Sequence, residues 1–154
     1  MDATTLVNGH VSSTLDVRDR GLAYGDGVFE TMALDQGQVQ LWQGHRQRLI
    51  TGLVTLGLVA DEASAGHLVK AIVDDIKAAY KHYGHPQGVI KVTVTRGNGG
   101  RGYAAPSSPC PTRIVSMLPW PQGRSHLSKD GVCVQMCQHR WSTNVALAGL
   151  KHLN

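Results

Sequence analysis

The sequence lacks most of the features that mark membrane, secreted or nucleic-acid-binding proteins. No apolar run approaches the roughly 18 residues that a membrane helix needs, and the N-terminus has neither the basic nor the apolar region of a signal peptide. The chain contains only four tyrosines, three tryptophans and one phenylalanine, and its fifteen lysines and arginines are scattered. A nucleic-acid-binding surface usually concentrates basic residues with aromatics between them. We therefore expect a globular cytoplasmic protein that binds neither nucleic acid nor membrane, and whose formal charge of +4 fits an anionic small ligand.

The three cysteines, Cys110, Cys133 and Cys137, are an odd number without CxxC spacing. This pattern favours reduced thiols in a reducing compartment. A metal site built on Cys133, Cys137 and His139 would need a fourth ligand and closer spacing. We therefore expect no metal and interpret these cysteines as small apolar side chains in or beside a strand.

Short strand-like runs predict two hairpins near the N-terminus. Asn8 and Gly9 tolerate the positive φ angles of a tight turn between apolar residues. Residues 28–34 and 39–42 are both strand-like, and residues 35–38 form the turn between them.

After these hairpins, the spacing of apolar residues changes from that of strands to that of helices. Apolar residues at helical spacing first recur at Leu49, Leu53 and Leu56. Gly57 is a plausible stop, and a second helix can be capped by Asp61 or Ser64 and ended by residues 84–86. Its apolar stripe consists of Leu68, Ile72, Ile76, Ala79 and Tyr83. Charged residues at 74, 77 and 81 lie off this stripe, on a face that we expect to be solvated.

A period of two returns from residue 87 and predicts further strands. Residues 90–95 alternate apolar and polar side chains, residues 113–118 form another candidate strand, and residues 132–136 alternate again. Turn-forming residues between the last two runs predict a linker. We predict an α+β fold with a mostly antiparallel sheet covered by the helices. The predicted units are a small N-terminal two-layer α/β domain at 1–118, a linker at 119–129 and the start of a larger domain at 130–154.

The glycine-rich segment at residues 97–102 matches the dinucleotide-binding pattern GxGxxG and follows a predicted strand. That pattern needs a helix that starts within it and an acidic residue about 20 positions later. Prolines follow here instead, and no Asp or Glu occurs between Asp75 and Asp130, so a Rossmann fold is disfavoured. Glycines let the backbone approach a ligand, while Arg96 and Arg101 supply planar cations that suit carboxylates. A dicarboxylate ligand fits this loop, and a glycine hairpin with solvated arginines is an equal alternative.

Two other positions are candidates for binding or catalysis. His45 and Arg48 are three residues apart and lie on one side of a helix, where the arginine either turns inward to an anion or belongs to a solvated face. Lys151 follows an uncharged apolar approach at residues 146–150, which can make its amine available as a nucleophile. An exposed lysine near a chain end is the alternative.

The order and separation of these segments resemble the aminodeoxychorismate lyase family of fold-type IV pyridoxal-phosphate (PLP) enzymes. The resemblance rests on residues 8–9, 20–31, 45–49, 96–103 and 147–154 and so covers nearly the whole chain. It implies a small α/β domain, an interdomain loop and a larger domain, in a homodimer. The form RGxGGRGY at residues 96–103 is more typical of the lyases than of the transaminases in the same group.

This resemblance also implies a role for each candidate residue. Lys151 is the catalytic lysine that forms the Schiff base with PLP, and Arg48 binds the cofactor phosphate. The implied substrate contacts are Arg101, Tyr103, Thr31 and Arg96. In the family, the acidic partner of the pyridine nitrogen and the turns around the phosphate follow the lysine. We therefore expect them after residue 154, and we expect residues 1–154 alone to be inactive or poorly folded beyond residue 125.

The implied reaction converts 4-amino-4-deoxychorismate into 4-aminobenzoate and pyruvate in folate biosynthesis. A D-amino-acid or branched-chain transaminase, which shares Lys151 and Arg48, is the nearest alternative. A non-catalytic α+β module for dimerisation or ligand binding is the alternative from another class.

Overall fold

A six-stranded antiparallel sheet with two long helices on one face forms the body of the chain. The structure, a computed structural model, describes residues 3–123, 127–140 and 144–154. The strands are β1 Thr4–Val7, β2 His10–Val11, β3 Gly27–Asp35, β4 Gln38–Val39, β5 Gly88–Thr95 and β6 Thr112–Leu118. The helices are α1 Arg20–Tyr24, α2 Trp42–Thr55, α3 Glu62–Tyr83 and α4 Leu127–Asp130, with a 3-10 turn at Val145–Leu147. The strand order is β2-β1-β6-β5-β3-β4, with every pair antiparallel, which confirms the predicted α+β architecture.

Two-residue turns close both predicted hairpins. The turn residues with positive φ are Asn8 (49°), Gly9 (85°), Gln36 (49°) and Gly37 (75°). Positive φ at both turn positions gives a backbone twist that matches that of the flanking strands. The strand predicted at residues 39–42 was partly wrong, because β4 ends at Val39 and Leu41 turns to a φ of 53°. That turn directs the chain into α2, which begins at Trp42.

Helix α3 begins and ends where the sequence predicts. The Asp61 carboxylate accepts a hydrogen bond from the Ser64 backbone N–H at 2.8 Å, as an N-cap does. Gly84 ends the helix with a φ of 70°, a conformation that favours glycine. The apolar stripe packs against the sheet and is buried from Ile72 to Tyr83, whereas residues 74, 77 and 81 are exposed. The buried stripe and the exposed charged residues confirm the predicted apolar and solvated faces of α3.

The core lies between the two helices and one face of the sheet. Its buried strand residues include Val28, Met32, Leu34, Ile90, Val92 and Val94. Because side chains alternate across a strand, the opposite face carries Phe29, Thr31 and Lys91, which are half-buried or exposed. The side of β3 toward the helices is therefore buried, and the side away from them is partly open to solvent.

The region after β6 differs from the prediction. Residues 132–136 form no strand, and Val132, Val134 and Met136 are exposed, so the predicted strand was wrong: an alternating pattern needs a partner edge, and none lies beside it in the described residues. Cys133 and Cys137, expected in or beside a strand, lie in irregular chain and are exposed, and Cys110 is exposed as well. Among the described residues there is no His, Cys, Asp and Glu group that could hold a metal. No helix in the described ranges is long and apolar enough to cross a membrane.

One helical turn, α4, begins in the predicted linker and ends at Asp130, and linker residues 124–126 lie outside the described residues. The division into domains at residues 119–129 stays a prediction. The glycine-rich segment at 97–102 is followed by irregular chain and then by β6, so no helix starts within it, as expected.

Candidate active site

The segment that carries Lys151 lies along the outer edge of β3. The Phe29 N–H donates to the Lys151 carbonyl at 3.0 Å, and the Leu153 N–H donates to the Gly27 carbonyl at 3.0 Å. His152 lies opposite Val28 in this antiparallel bridge. These bonds fix which face of the sheet each side chain occupies. The Lys151 amine accordingly lies 4.6 Å from the centre of the Phe29 ring, on the face away from the helices.

Two glycines make room for this segment. A Cβ on Gly27 would lie 2.4 Å from the Val94 carbonyl oxygen and 2.7 Å from Leu153 Cδ1. Gly25 has a φ of 65°, and a Cβ there would meet the Asn154 backbone at 3.2 Å. The glycines of residues 20–31 thus permit close approach of the chain that carries the lysine.

On the helix side of β3, a buried carboxylate holds His45 and Arg48 together. Glu30 is only 1% exposed and accepts hydrogen bonds from Arg48 Nε and Nη2, both at 2.6 Å. His45 Nδ1 lies 2.7 Å from the same carboxylate. Burial by itself raises the pKa of Glu30, but the hydrogen bonds and charges of Arg48 and His45 outweigh it, so this pKa lies below its ordinary value. The carboxylate is therefore ionised and holds the arginine in one orientation.

One edge of the Arg48 guanidinium remains available. Its Nη1 has no hydrogen-bond partner among the described residues, and its side chain is 44% exposed. The hydrogen bond to Glu30 raises the pKa of Arg48 above its ordinary value, so the group keeps its charge. Lys151, for its part, makes no ion pair within the described ranges. Adjacent β3 residues, Phe29 and Glu30, thus contact the candidate lysine and the candidate anion-binding arginine.

Thr31 lies two residues beyond Phe29 on the same face of β3. Thr31 is exposed, and its cross-strand partner on β5 is Lys91. The Lys91 amine lies 5.9 Å from the centre of the Phe29 ring. The structure therefore places Thr31 on the face that carries the Lys151 amine.

The structure gives Arg96 an internal position at the start of the glycine-rich loop. Its Nε and Nη2 donate to Asp26 at 2.7 and 3.0 Å, and its Nη1 and Nη2 donate to the Gly57 and Leu56 carbonyls, both at 2.7 Å. Four of its five N–H groups are used in this way, and the side chain is about a tenth exposed. This geometry leaves only one N–H group of Arg96 for a ligand, and the substrate contact expected for Arg96 stays a prediction.

Arg101 and Tyr103 lie further along that loop and are free to meet a ligand. Arg101 is exposed and makes no ion pair within the described part of the chain. Tyr103 is 86% exposed, and the centre of its ring lies 5.4 Å from that of the Tyr24 ring. The solvated-loop alternative thus describes these side chains but not Arg96.

Sequence reasoning missed three residues that shape the site: Arg20, Asp26 and Glu30. Each is a charged residue in the glycine-dense segment before or within an apolar strand. The signal was available for Glu30, because it occupies the buried phase of β3 between Val28 and Met32. A charge at a buried strand position requires a partner of opposite charge, and here the partner is Arg48.

Comparison with known families identifies the fold. A family model described as amino-transferase class IV matches residues 27–154, which include β3, α2, the glycine-rich loop and Lys151. The chain belongs to this family. The fold of this class IV aminotransferase-family chain is accordingly fold-type IV, as expected.

Two similar proteins are described as lyases. The class IV chain is 30% identical over 150 residues to an aminodeoxychorismate lyase from Vibrio harveyi, covering 96% of the chain and 52% of that protein. A solved 4-amino-4-deoxychorismate lyase from Pseudomonas aeruginosa is 40% identical with a TM-score of 0.82, covering 97% of the chain and 52% of that structure. The chain therefore spans about half the length of both relatives.

A more distant solved structure shares the fold. It is a hypothetical aminotransferase from Mycobacterium tuberculosis, described as a PLP-bound form, with 21% identity and a TM-score of 0.63. The match covers 84% of this class IV chain and 44% of that structure. At this identity the likeness concerns the fold alone.

Proposed function

We propose that this chain carries the catalytic lysine and the N-terminal part of the active site of a PLP-dependent aminodeoxychorismate lyase. Lys151, fixed on the edge of β3 beside the Phe29 ring, is the observation that carries the proposal. The likeness to two proteins described as lyases, at 30% and 40% identity, favours this reaction over transamination. The reaction converts 4-amino-4-deoxychorismate into 4-aminobenzoate and pyruvate, in folate biosynthesis.

Lys151 and Arg48 offer the two groups that PLP needs, an amine and an anion-binding guanidinium, and they flank the start of β3 from opposite faces of the sheet. Lys151 offers an amine with no ion pair in the described ranges, and Arg48 offers the unused Nη1 edge of a fixed, charged guanidinium to a phosphate. Because Glu30 fixes Arg48, little conformational entropy remains to be lost when an anion binds. When bound, PLP supplies an electron-accepting ring that stabilises negative charge on the substrate.

The amine of Lys151 is the group that moves protons in this proposal. Its Nζ removes the proton from C4 of the substrate, the bond from the ring to the enolpyruvyl oxygen breaks, and Nζ returns the proton to the departing group, which leaves as pyruvate. The ring becomes aromatic as 4-aminobenzoate forms. The backbone bonds of Lys151 to β3 keep Nζ on one face of the sheet, as proton transfer at a single carbon requires.

Substrate contacts are assigned to Arg101, Tyr103 and Thr31. The substrate is a dicarboxylate, and an exposed guanidinium on a glycine-rich loop suits a carboxylate. Arg101 is preferred to Arg96, because four N–H groups of Arg96 already hold Asp26 and two carbonyls. We also propose a homodimer in the cytoplasm.

The Lys151→Ala variant of the full-length gene product tests this function. It should lose the visible absorbance of lysine-bound PLP, the borohydride-reducible adduct and nearly all formation of 4-aminobenzoate, because no other group replaces Nζ. Lys77→Ala is the matched control, since Lys77 is an exposed lysine on α3 and its loss should change none of these.

The products distinguish the alternatives. An oxo acid with an aminated cofactor would identify a transaminase, and a wild-type protein that takes up no PLP would identify a non-catalytic module. Retained absorbance and turnover in Lys151→Ala would contradict the role of the lysine.

A further inference from the structure

We propose that Arg20 is a positioning residue that holds the substrate-binding loop, defined here as residues 96–104, in its binding conformation. The inference rests on the proposed function, because the loop carries Arg101 and Tyr103. Arg20 itself touches neither substrate nor cofactor in this proposal. Its effect passes through the backbone of the loop.

Arg20 binds both ends of the loop. At the near end its backbone N–H donates to the Gly97 carbonyl at 2.9 Å. At the far end its guanidinium donates to the carbonyl oxygens of Gly102 (3.4 Å), Tyr103 (3.0 Å) and Ala104 (3.3 Å). Residues 98–101 are thereby closed into a short loop between two points held by one residue. Closing a loop in advance reduces the conformational entropy that is lost when a ligand orders it.

The guanidinium is itself held in place. Its Nε donates to Asp26 at 2.9 Å, and its side chain is only 5% exposed. Asp26 also binds Arg96, and its carbonyl accepts the Arg96 backbone N–H at 3.0 Å. Burial raises the pKa of Asp26, but the hydrogen bonds and charges of Arg96 and Arg20 outweigh it and lower this pKa below its ordinary value. A charged Asp26 thus fixes one edge of Arg20 and leaves the other edge to the loop.

Packing around Arg20 explains the glycine at position 99 and the position of the Tyr103 ring. A Cβ on Gly99 would lie 2.7 Å from Arg20 Cδ, so the loop backbone lies directly on the arginine stem. The guanidinium lies 4.7 Å from the centre of the Tyr24 ring, and that ring is 5.4 Å from the Tyr103 ring. Arg20 therefore binds the Tyr103 carbonyl directly and contacts the Tyr103 ring through the Tyr24 ring.

The segment that contains Arg20 also leads to the lysine. Asp26 is followed by Gly27, which receives the Lys151 segment through the bond from Leu153. The distance between the loop and the lysine thus depends on the short stretch from α1 to the start of β3. A substrate that contacts both needs this spacing to be fixed.

The experiment compares Arg20→Met, which keeps the stem and removes the guanidinium, with Arg113→Met in the full-length protein. Arg113 is a matched control because it is also a largely buried arginine that donates to a buried carboxylate, Asp75, at 2.8 Å, and it makes no hydrogen bond to residues 96–104 in the described structure. Arg20→Met should raise KM for aminodeoxychorismate by about tenfold or more with a much smaller change in kcat, since substrate contacts are loosened before the reaction. Backbone amides of residues 98–104 should exchange hydrogen faster. Arg113→Met should do neither.

A double-mutant cycle separates positioning from general stability. If Arg20 acts through Arg101, then adding Arg20→Met to Arg101→Met should raise KM by less than about twofold further, because the contact that depends on the loop is already lost. Arg20→Lys keeps a charge beside Asp26 but cannot span three carbonyls. It should also raise KM, and it supplies a folded variant if Arg20→Met does not fold.

The outcomes are distinguishable. Unchanged KM and unchanged hydrogen exchange of the loop in both Arg20 variants would overturn the proposal. The proposal would also be overturned if the fold-increase in KM of the double variant equalled the product of the two single-variant increases. Absence of lyase activity in the wild-type protein would overturn the proposed function instead. Hydrogen exchange would still decide whether Arg20 holds the loop.

Discussion

Replacing Glu30 by glutamine tests the buried charge on which the candidate phosphate site depends. The carboxylate is 1% exposed, receives two hydrogen bonds of 2.6 Å from Arg48 and lies 2.7 Å from His45. Glutamine has nearly the same shape but no charge, and it replaces one acceptor oxygen by an NH₂ donor. One hydrogen bond from Arg48 or His45 is therefore lost, and the remainder lose their charge assistance.

We expect Glu30→Gln to lower the free energy of unfolding by about 2 kcal/mol near pH 7. Removing one member of a fully buried ion pair costs about 3–5 kcal/mol. The cost is smaller here because the Arg48 side chain is 44% exposed, so water can solvate the guanidinium that loses its partner. The amide oxygen of glutamine also keeps one acceptor in place.

The pH dependence of this difference is fixed by the direction of the pKa shift. Arg48 and His45 lower the pKa of Glu30 in the folded state, against the opposing effect of burial. The carboxylate therefore stabilises the fold fully above its unfolded pKa, about 4.3, and this stabilisation is lost as the pH falls through the lower folded pKa. Wild type and Glu30→Gln should converge in stability only below about pH 4.

Urea denaturation followed by circular dichroism, from pH 7 down to pH 3, measures this difference. Asp35→Asn is a useful control, because Asp35 is an exposed carboxylate that accepts one hydrogen bond from Gln87, and it should change stability by less than about 0.5 kcal/mol. Equal stability of Glu30→Gln and wild type at pH 7 would refute the reasoning. A stability difference between wild type and Glu30→Gln that grows as the pH falls would contradict the predicted direction of the pH dependence.

Two further substitutions examine the close approach of the Lys151 segment and the start of α3. Gly27→Ala should lower the melting temperature and the PLP content of the full-length protein, because the new Cβ would lie 2.4 Å from the Val94 carbonyl oxygen. The control is Gly66→Ala, at a helical glycine with open space around it, which should be neutral or slightly stabilising. Similar losses in both variants would contradict this prediction. Asp61→Ala should lower the free energy of unfolding by about 1 kcal/mol by removing the N-cap of α3. Denaturation curves that do not shift for Asp61→Ala would show that the cap contributes little.

The elements that were predicted correctly are those in which local chemistry and burial agree. Asn8 and Gly9 accept the turn angles of the first hairpin, and Asp61 and Gly84 mark the ends of α3. Such signals depend on the residue itself and its near neighbours. Residues 132–136 show the opposite case, because their alternation has no partner edge in the described structure and their side chains are exposed.

The sequence offered candidate residues for the site but not the partners that those residues have in the fold. Lys151, Arg48, Arg101 and Tyr103 were named from their segments, whereas the roles of Glu30, Asp26 and Arg20 depend on contacts between segments far apart in sequence. Arg96 illustrates the limit. Its sequence neighbours are glycines that indicate an open loop, yet its guanidinium is enclosed by Asp26 and the chain after α2. Only pairing in three dimensions distinguishes it from Arg101.

The pairing of the lysine segment with β3 has a consequence for how the amine is directed. Because Lys151 stands opposite Phe29 and His152 opposite Val28, neighbouring positions of this segment point to opposite sides of the sheet. A slip of one residue would exchange them and bring an imidazole beside the phenyl ring, with the amine turned toward the helices. The side of the sheet on which the Lys151 amine lies is thus set by the alternation of side chains along the paired segment, and the hydrogen bonds at Gly27 and Phe29 fix that alternation.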